Sequence, residues 1–278
     1  MPHAIVAAPT LHRDRPISLV LGAGGVRGLA HVGVLEVLAE RGVHIAEMSG
    51  TSVGALIIAF YAAVGSGVEE LRELGLGMTS RHLLAWSWLR RVPEPIRHKF
   101  RHRAGSIPGS LDRLAAATWS PLHHGVERIG LVSYDTLRRE QVVGHSEQHL
   151  IRLVDAARGA AALPAIFPPI TCEGEGRRMR LVDGGIVNRL PVDVLFEPPF
   201  EPAQVLAVDI SNTAAARRAS YEGVMKLRRA HPDVPIELVT PDTIGRATII
   251  FRTEEVADLI DAGRRATEAA LARSGIAD

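Results

Sequence analysis

The sequence predicts a three-layer α/β/α protein built on a mainly parallel sheet, and three patterns lead there. Apolar runs of strand length alternate with runs of helical spacing from Ile17 to Val64. Both of the first two strands end in glycine-rich turns. The 278 residues, 46% of them hydrophobic, are enough to bury both faces of a sheet under helices.

Residues 1–16 read as an N-terminal tail, and one domain spans 17–278. Ile17 to Leu21 is the first strand, and Gly22 to Gly28 is a turn carrying four glycines. Leu29 to Arg41 has helical spacing, with Leu29, Val32, Val34, Leu35 and Leu38 apolar and Gly42 as its stop. Val43 to Met48 is the second strand, followed by Gly50-Thr51-Ser52-Val53-Gly54 and a helical run from Ala55 to Val64. Glycines and prolines interrupt residues 65–130, which read as an inserted cap or lid. The sheet resumes within Glu127 to Val132. Ile151 to Ala162 is alanine-rich and helical, stopped by Pro164 and Pro168-Pro169. Short strands follow at Arg180 to Val182, Gln204 to Val208 and Ile236 to Val239, the first ending in Asp183-Gly184-Gly185 and the second in Asp209. A final helix covers Glu254 to Ala272, with Val256, Leu259, Ile260, Gly263, Ala270 and Leu271 on one stripe.

The formal net charge of +1 argues against general nucleic-acid binding. The single Cys172 excludes an intrachain disulfide and a cysteine metal cluster, which fits a reducing compartment. Ala4 to Ala8 is too short for a signal-peptide core, and the longest apolar run, Ala55 to Val64, is half a membrane span. These features lead us to expect a soluble cytoplasmic protein.

Gly50 to Gly54 has the Gly-x-Ser-x-Gly spacing of a nucleophile elbow, in the strand–turn–helix setting that such an elbow needs. Ser52 would stand on a strained turn, with Gly50 and Gly54 leaving room for strand and helix, and its oxygen would lie at a helix N-terminus. The earlier turn, Gly22-Ala23-Gly24-Gly25-Val26-Arg27-Gly28, exposes backbone N–H groups in the same way. A dinucleotide fingerprint would need glycine where Arg27 stands, and the acid expected at the end of the next strand has only Glu47 to supply it. An oxyanion hole fits better, with Gly24, Gly25 and Val26 as donors. Arg27 would then anchor the loop, meet an anionic headgroup, or simply pack.

A Ser–Asp–His order would require a histidine after Asp183, and only His231 follows. It precedes a strand rather than following one, which puts it at the wrong edge of a parallel sheet. Asp183 directly follows a strand, as Ser52 does, and a buried carboxylate in reach of a hydroxyl can act as base alone. Asp209 is its rival by the same placement.

With these three motifs in order, the chain resembles the bacterial patatin-like phospholipases. The residues that carry the resemblance are Gly24-Gly25-Val26-Arg27-Gly28, Gly50 to Gly54 and Asp183-Gly184-Gly185. The block Ala160 to Pro169 adds to it, as do Asn188 and Pro191. It runs from about Ile17 to Asp209, and departs from the family pattern at Ala23 and in the lack of a serine in the alanine block. The resemblance implies a metal-independent lipid acyl hydrolase of the phospholipase A or esterase type. Ser52 and Asp183 would form the dyad, and a phospholipid or other fatty acyl ester would be the substrate. A thioesterase or short-chain esterase, or a non-catalytic lipid-binding protein on the same fold, remain alternatives. Between Arg81 and Arg103, seven Lys and Arg stand against the single acid Glu94, beside Trp86 and Trp88. That mixture suits transient contact with an anionic membrane, or a plain lid with a solvated face.

Overall fold

The computed structural model describes residues 11–147, 151–174 and 176–274; the stretch from Ala4 to Ala8 lies outside them. Five parallel strands form the spine of the sheet. They are β1 (Ile17–Leu21), β2 (Ile45–Thr51), β3 (Arg128–Asp135), β7 (Val205–Val208) and β8 (Ile236–Val239), in the order β3-β2-β1-β7-β8. The chain leaves β1 to one side for β2 and returns on the other side as β7. This order reverses at β1, and in open α/β sheets ligands bind where the strands' carboxyl ends diverge at such a point.

Beyond β3 the sheet turns antiparallel. β4 (Glu140–His145) lies along one edge of β3, and β6 (Arg177–Asp183) pairs with Ser133 to Asp135, antiparallel in both cases. β5 (Ile170–Gly174) closes a hairpin with β6. The sequence pattern missed β4 and β5, because such short, half-polar segments become strands only once β3 and β6 offer them a ladder.

Alternation along the strands buries both faces. Leu19, Leu21, Ile129, Leu131, Leu206 and Val208 point into one core, while Val20, Val132, Val205 and Ala207 point into the other. The first core is covered by α1 (Leu29–Glu40), α2 (Val53–Ile58), α7 (Leu153–Ala160) and α9 (Glu254–Arg273). The second is covered by the segment from Val192 to Phe200 and by α8 (Ala214–Ala230) through Val224. α8 escaped the sequence reading because Val224 is its one buried residue; the Thr213 N-cap, whose hydroxyl accepts from the Ala216 N–H, was the available signal. α1 and α9 cross so closely that a Cβ at Gly33 would strike the Ile260 carbonyl and one at Gly263 the Ala30 carbonyl. Arg264 on α9 bridges Glu36 and Glu40 of α1, and Arg72 of α3 (Val68–Leu76) joins the same Glu36.

Residues 11–16 do not behave as a tail. Leu11 is buried, and the side chain of the buried Gln204 bonds the backbone of His12 and Arg15. Between α2 and β3 the chain forms α3, α4 (Ser80–Leu89), α5 (Glu94–Phe100) and α6 (Ile107–Ala116). This helical excursion packs on the body through Leu71 and Leu114, which enter the first core; Arg91 adds hydrogen bonds to the carbonyls of Ala165 and Ile166, and Ser80 exchanges hydrogen bonds with the backbone of Phe251.

Candidate active site

β2 continues three residues past the predicted Met48, so Gly50 and Thr51 pair with Leu131 and Val132 of β3. β6 occupies the next rung, with Asp183 opposite Ser133. β4 takes the other edge of β3, so β2 and β6 share one edge and approach each other with their carboxyl ends meeting. This corrects the reasoning that led to Asp183. Asp183 does end a strand, but that strand runs against β2. It reaches Ser52 because β6 overlaps β3 by only three rungs and stops short.

Ser52 sits at the junction with φ 58° and ψ −127°. A non-glycine residue in this region carries on the order of 1–3 kcal/mol of strain, held by its surroundings. The helix behind it begins at Val53 and opens into wider π-type turns over Ala59–Val64. A Cβ at Gly54 would collide with the Leu21 carbonyl, so the elbow packs directly on the end of β1. The Ser52 N–H donates to the Ala160 carbonyl at the end of α7 (3.1 Å), and the Asp183 N–H donates to Ala162 (3.1 Å). One helix terminus thus fixes both backbones.

The Ser52 Oγ donates to Asp183 Oδ2 at 2.6 Å. Asp183 Oδ1 accepts from the Gly185 N–H at 2.8 Å. Asp183 is only 2% exposed, and burial raises its pKa above the ordinary carboxylate value; the Ser52 and Gly185 bonds and the Arg189 charge partly oppose that rise.

In the glycine turn, Gly22 and Ala23 donate their N–H groups to Val208 and Arg189, and Val26 donates to the Thr248 carbonyl at 2.9 Å. Val26 is therefore not a free donor, contrary to the sequence reading. Gly24 and Gly25 have no partner for their N–H groups among the described residues. Gly25 has φ +58°, and a Cβ there would strike Thr248. Arg27 is almost fully buried. It anchors the loop, with Nε on the Ile210 carbonyl (3.0 Å) and Nη1 on the Ala247 carbonyl (3.1 Å) and the Thr248 hydroxyl (2.8 Å). Burial and the nearby Arg189 lower its pKa to about 10, with Asp209 acting against them. Gly28 abuts Val53, so the turn and the elbow helix touch.

The rivals lie elsewhere. Asp209 accepts from the Ser211 N–H, and its other oxygen has no partner. His231 stacks on Phe196 with ring centres 3.9 Å apart, at the end of α8. Glu47, the acid a dinucleotide would have used, is engaged by Ser18, Arg128 and the Glu201 N–H. The sequence reading passed over His31. It is fully buried on α1, with Nε2 2.9 Å from the Gly22 carbonyl. A carbonyl only accepts, so the proton is on Nε2 and Nδ1 is left without a partner. Burial lowers the His31 pKa to about 4, so the ring is neutral and supports the turn from behind. Among the described residues no group of three or more His, Cys, Asp or Glu could hold a metal, and no helix is long and apolar enough to cross a membrane.

Over 246 residues the chain is 29% identical to Lysophospholipase NTE1 of Mycosarcoma maydis, covering 84% of this chain and 12% of that protein. It is 29% identical over 218 residues to human Patatin-like phospholipase domain-containing protein 6, covering 74% of this chain and 14% of the relative. The chain thus spans a small part of these relatives' length. Its fold resembles VipD from Legionella pneumophila (TM-score 0.57, 14% identity, covering 95% of this chain and 68% of that one). It likewise resembles human GIVD cytosolic phospholipase A2 (TM-score 0.56, 14% identity, covering 96% and 60%). The model of the Patatin-like phospholipase family matches residues 19–196, a span that holds the glycine turn, the elbow and the Asp-Gly-Gly motif. The chain belongs to the patatin-like phospholipase family.

Proposed function

We propose that the protein hydrolyses fatty acyl esters of phospholipids or lysophospholipids through an acyl-enzyme on Ser52. The observation that carries this reading is the 2.6 Å hydrogen bond from the strained Ser52 hydroxyl to a buried carboxylate. Asp183 takes the hydroxyl proton as Ser52 Oγ attacks the ester carbonyl, and its raised pKa makes it a better base than an exposed aspartate. The carbonyl oxygen gains negative charge and is met by the N–H groups of Gly24 and Gly25, at the start of the following helix. Protonated Asp183 then gives its proton to the leaving alkoxide. In the second half it removes a proton from water, which attacks the acyl carbonyl, and gives that proton to Ser52 Oγ as the acyl bond breaks and the fatty acid leaves.

Residues 65–130 serve as the cap in this reading, and 81–103 is its membrane-facing side. Leu84 and Trp88 are each 48% exposed, and the guanidinium of Arg103 lies over the Phe100 ring at 4.9 Å, so apolar anchors and cations share one surface. The enzyme would be soluble and visit anionic membranes transiently. A fluorophosphonate probe tests the core of the reading: it should label the wild type and not Ser52→Ala, and wild type should release fatty acid from lysophospholipid or phospholipid. Strong labelling of Ser52→Ala would remove the assignment.

A further inference from the structure

A cavity of about 290 Å³, lined by neither Ser52 nor Asp183, lies between α4, α5 and α6 on one side and α7 on the other. Trp86, Pro108, Leu111, Ala115 and Val154 give it apolar walls. Four arginines, Arg90, Arg97, Arg101 and Arg158, stand against two carboxylates, Glu94 and Asp112, a surplus of two positive charges. Both carboxylates are already taken, because Arg97 pairs with Glu94 and Arg101 with Asp112. The surplus therefore falls on Arg90 and Arg158. Among the described residues Arg90 has only the Trp86 ring, 6.0 Å from its guanidinium. Arg158 is half-buried and has no hydrogen-bond or ion-pair partner among the described residues. Burial lowers its pKa, with no counter-charge opposing the shift. Buried cations are normally paired, so an unmatched arginine in the wall of a cavity marks a position for an anion from outside.

We propose that this cavity is a second binding site, in which Arg90 and Arg158 hold the phosphate of a phosphomonoester. Two charges are uncompensated, and a phosphomonoester carries close to two negative charges at neutral pH. Guanidinium forks match phosphate oxygens in paired hydrogen bonds. The ligand is either a small phosphomonoester or the headgroup of a phosphatidate-type lipid, whose glycerol and first carbons would lie on Trp86, Leu111 and Val154. Occupancy would tie the cap to α7, the helix whose final carbonyl receives the Ser52 N–H.

The test is a binding titration of the full chain carrying Ser52→Ala, in which no turnover can occur, so its outcome is separate from that of the hydrolytic reading. Glycerol 3-phosphate, and dihexanoyl phosphatidate below its micelle concentration, are each titrated against glycerol in sodium chloride of equal ionic strength. Saturable binding is expected, with a rise in melting temperature that glycerol does not give. Adding Arg158→Gln should raise Kd at least tenfold and remove the rise, while Arg81→Gln, an exposed arginine outside the cavity, should leave both unchanged. If Arg158→Gln fails to fold, Arg90→Gln takes its place with the same expectation. Binding of both ligands identifies a small-phosphomonoester site, and binding of the phosphatidate alone identifies a headgroup site; each supports the proposal provided the arginine variant loses it. No saturable binding of either ligand, or equal binding by wild-type and variant cavities, would overturn it.

Discussion

The elbow corner and the cap are held together by different means. At the corner the chain is fixed by backbone: Ser52 and Asp183 each donate an N–H to the end of α7, Gly54 lies against the Leu21 carbonyl, and the strands around them are buried. The cap rests on side chains. Within it Arg113 pairs with Glu70 and Arg101 with Asp112 at exposed positions, and it meets the body through the buried Leu71 and Leu114 and the hydrogen bonds of Arg91. Exposed ion pairs contribute about 0–1 kcal/mol each. A corner held by backbone hydrogen bonds is fixed by groups every residue carries, whereas 65–130 depends on the side chains of Leu71, Leu114 and Arg91 for its place on the body.

The comparison is tested most severely at the corner. Ser52→Ala should fold normally and lose turnover on the order of 10⁴-fold or more, because nothing else there can carry the acyl group. Asp183→Asn should lose about 10²-fold or more. It should also melt higher than wild type near pH 7. The folded-state pKa of Asp183 is raised, so its ionisation costs stability as pH climbs through that value, and the asparagine removes that cost. The gain should shrink as pH falls toward the ordinary carboxylate range, where Asp183 is protonated anyway. By the same sign, the acid limb of the kcat/KM profile should lie above 3.8, the ordinary value for aspartate. A variant that is inactive and also less stable at neutral pH would show that Asp183 is a structural carboxylate.

Gly54→Ala should cost about 1–3 kcal/mol of stability by overpacking, read from urea denaturation, and activity should fall with it. Asp209→Asn and His231→Ala should change kcat/KM far less than Asp183→Asn, since neither side chain reaches Ser52; a dead His231→Ala with an unaltered melting curve would restore a triad. The smallest effect on the folded protein belongs to the cap. Replacing Trp86 and Trp88 with alanine should weaken sedimentation with anionic liposomes in a salt-sensitive way while the corner keeps its reactivity toward the fluorophosphonate. Salt-independent binding, or none, would leave the segment a plain lid.

Much of the corner was legible because its signals are local. A strained serine between glycines, a glycine turn after a strand and an aspartate at a strand end are all written in consecutive residues. Choosing between Asp183 and Asp209 was harder, since both end strands. The structure puts Asp183 against Ser52, but on a strand running opposite to β2, because strand direction is invisible in a run such as Arg180 to Val182. His31 was missed because a lone histidine on an apolar helix carries no local signature.

The sequence by itself determined the three-layer class, the parallel opening and the three motifs, since hydrophobic period and glycine placement act over a few residues. Tertiary structure alone decided the rest. Pairing along one edge of β3 turned two strands end to end and brought Ser52 to Asp183. The Thr248 carbonyl took the Val26 N–H, and among the described residues Gly24 and Gly25 keep N–H groups without a partner. The packing of α7 against α4, α5 and α6 placed Arg158 in a cavity wall with no ion-pair partner among the described residues. Each of these depends on groups far apart in the chain, whose meeting is set by burial and pairing across the whole fold and not by any short stretch of residues.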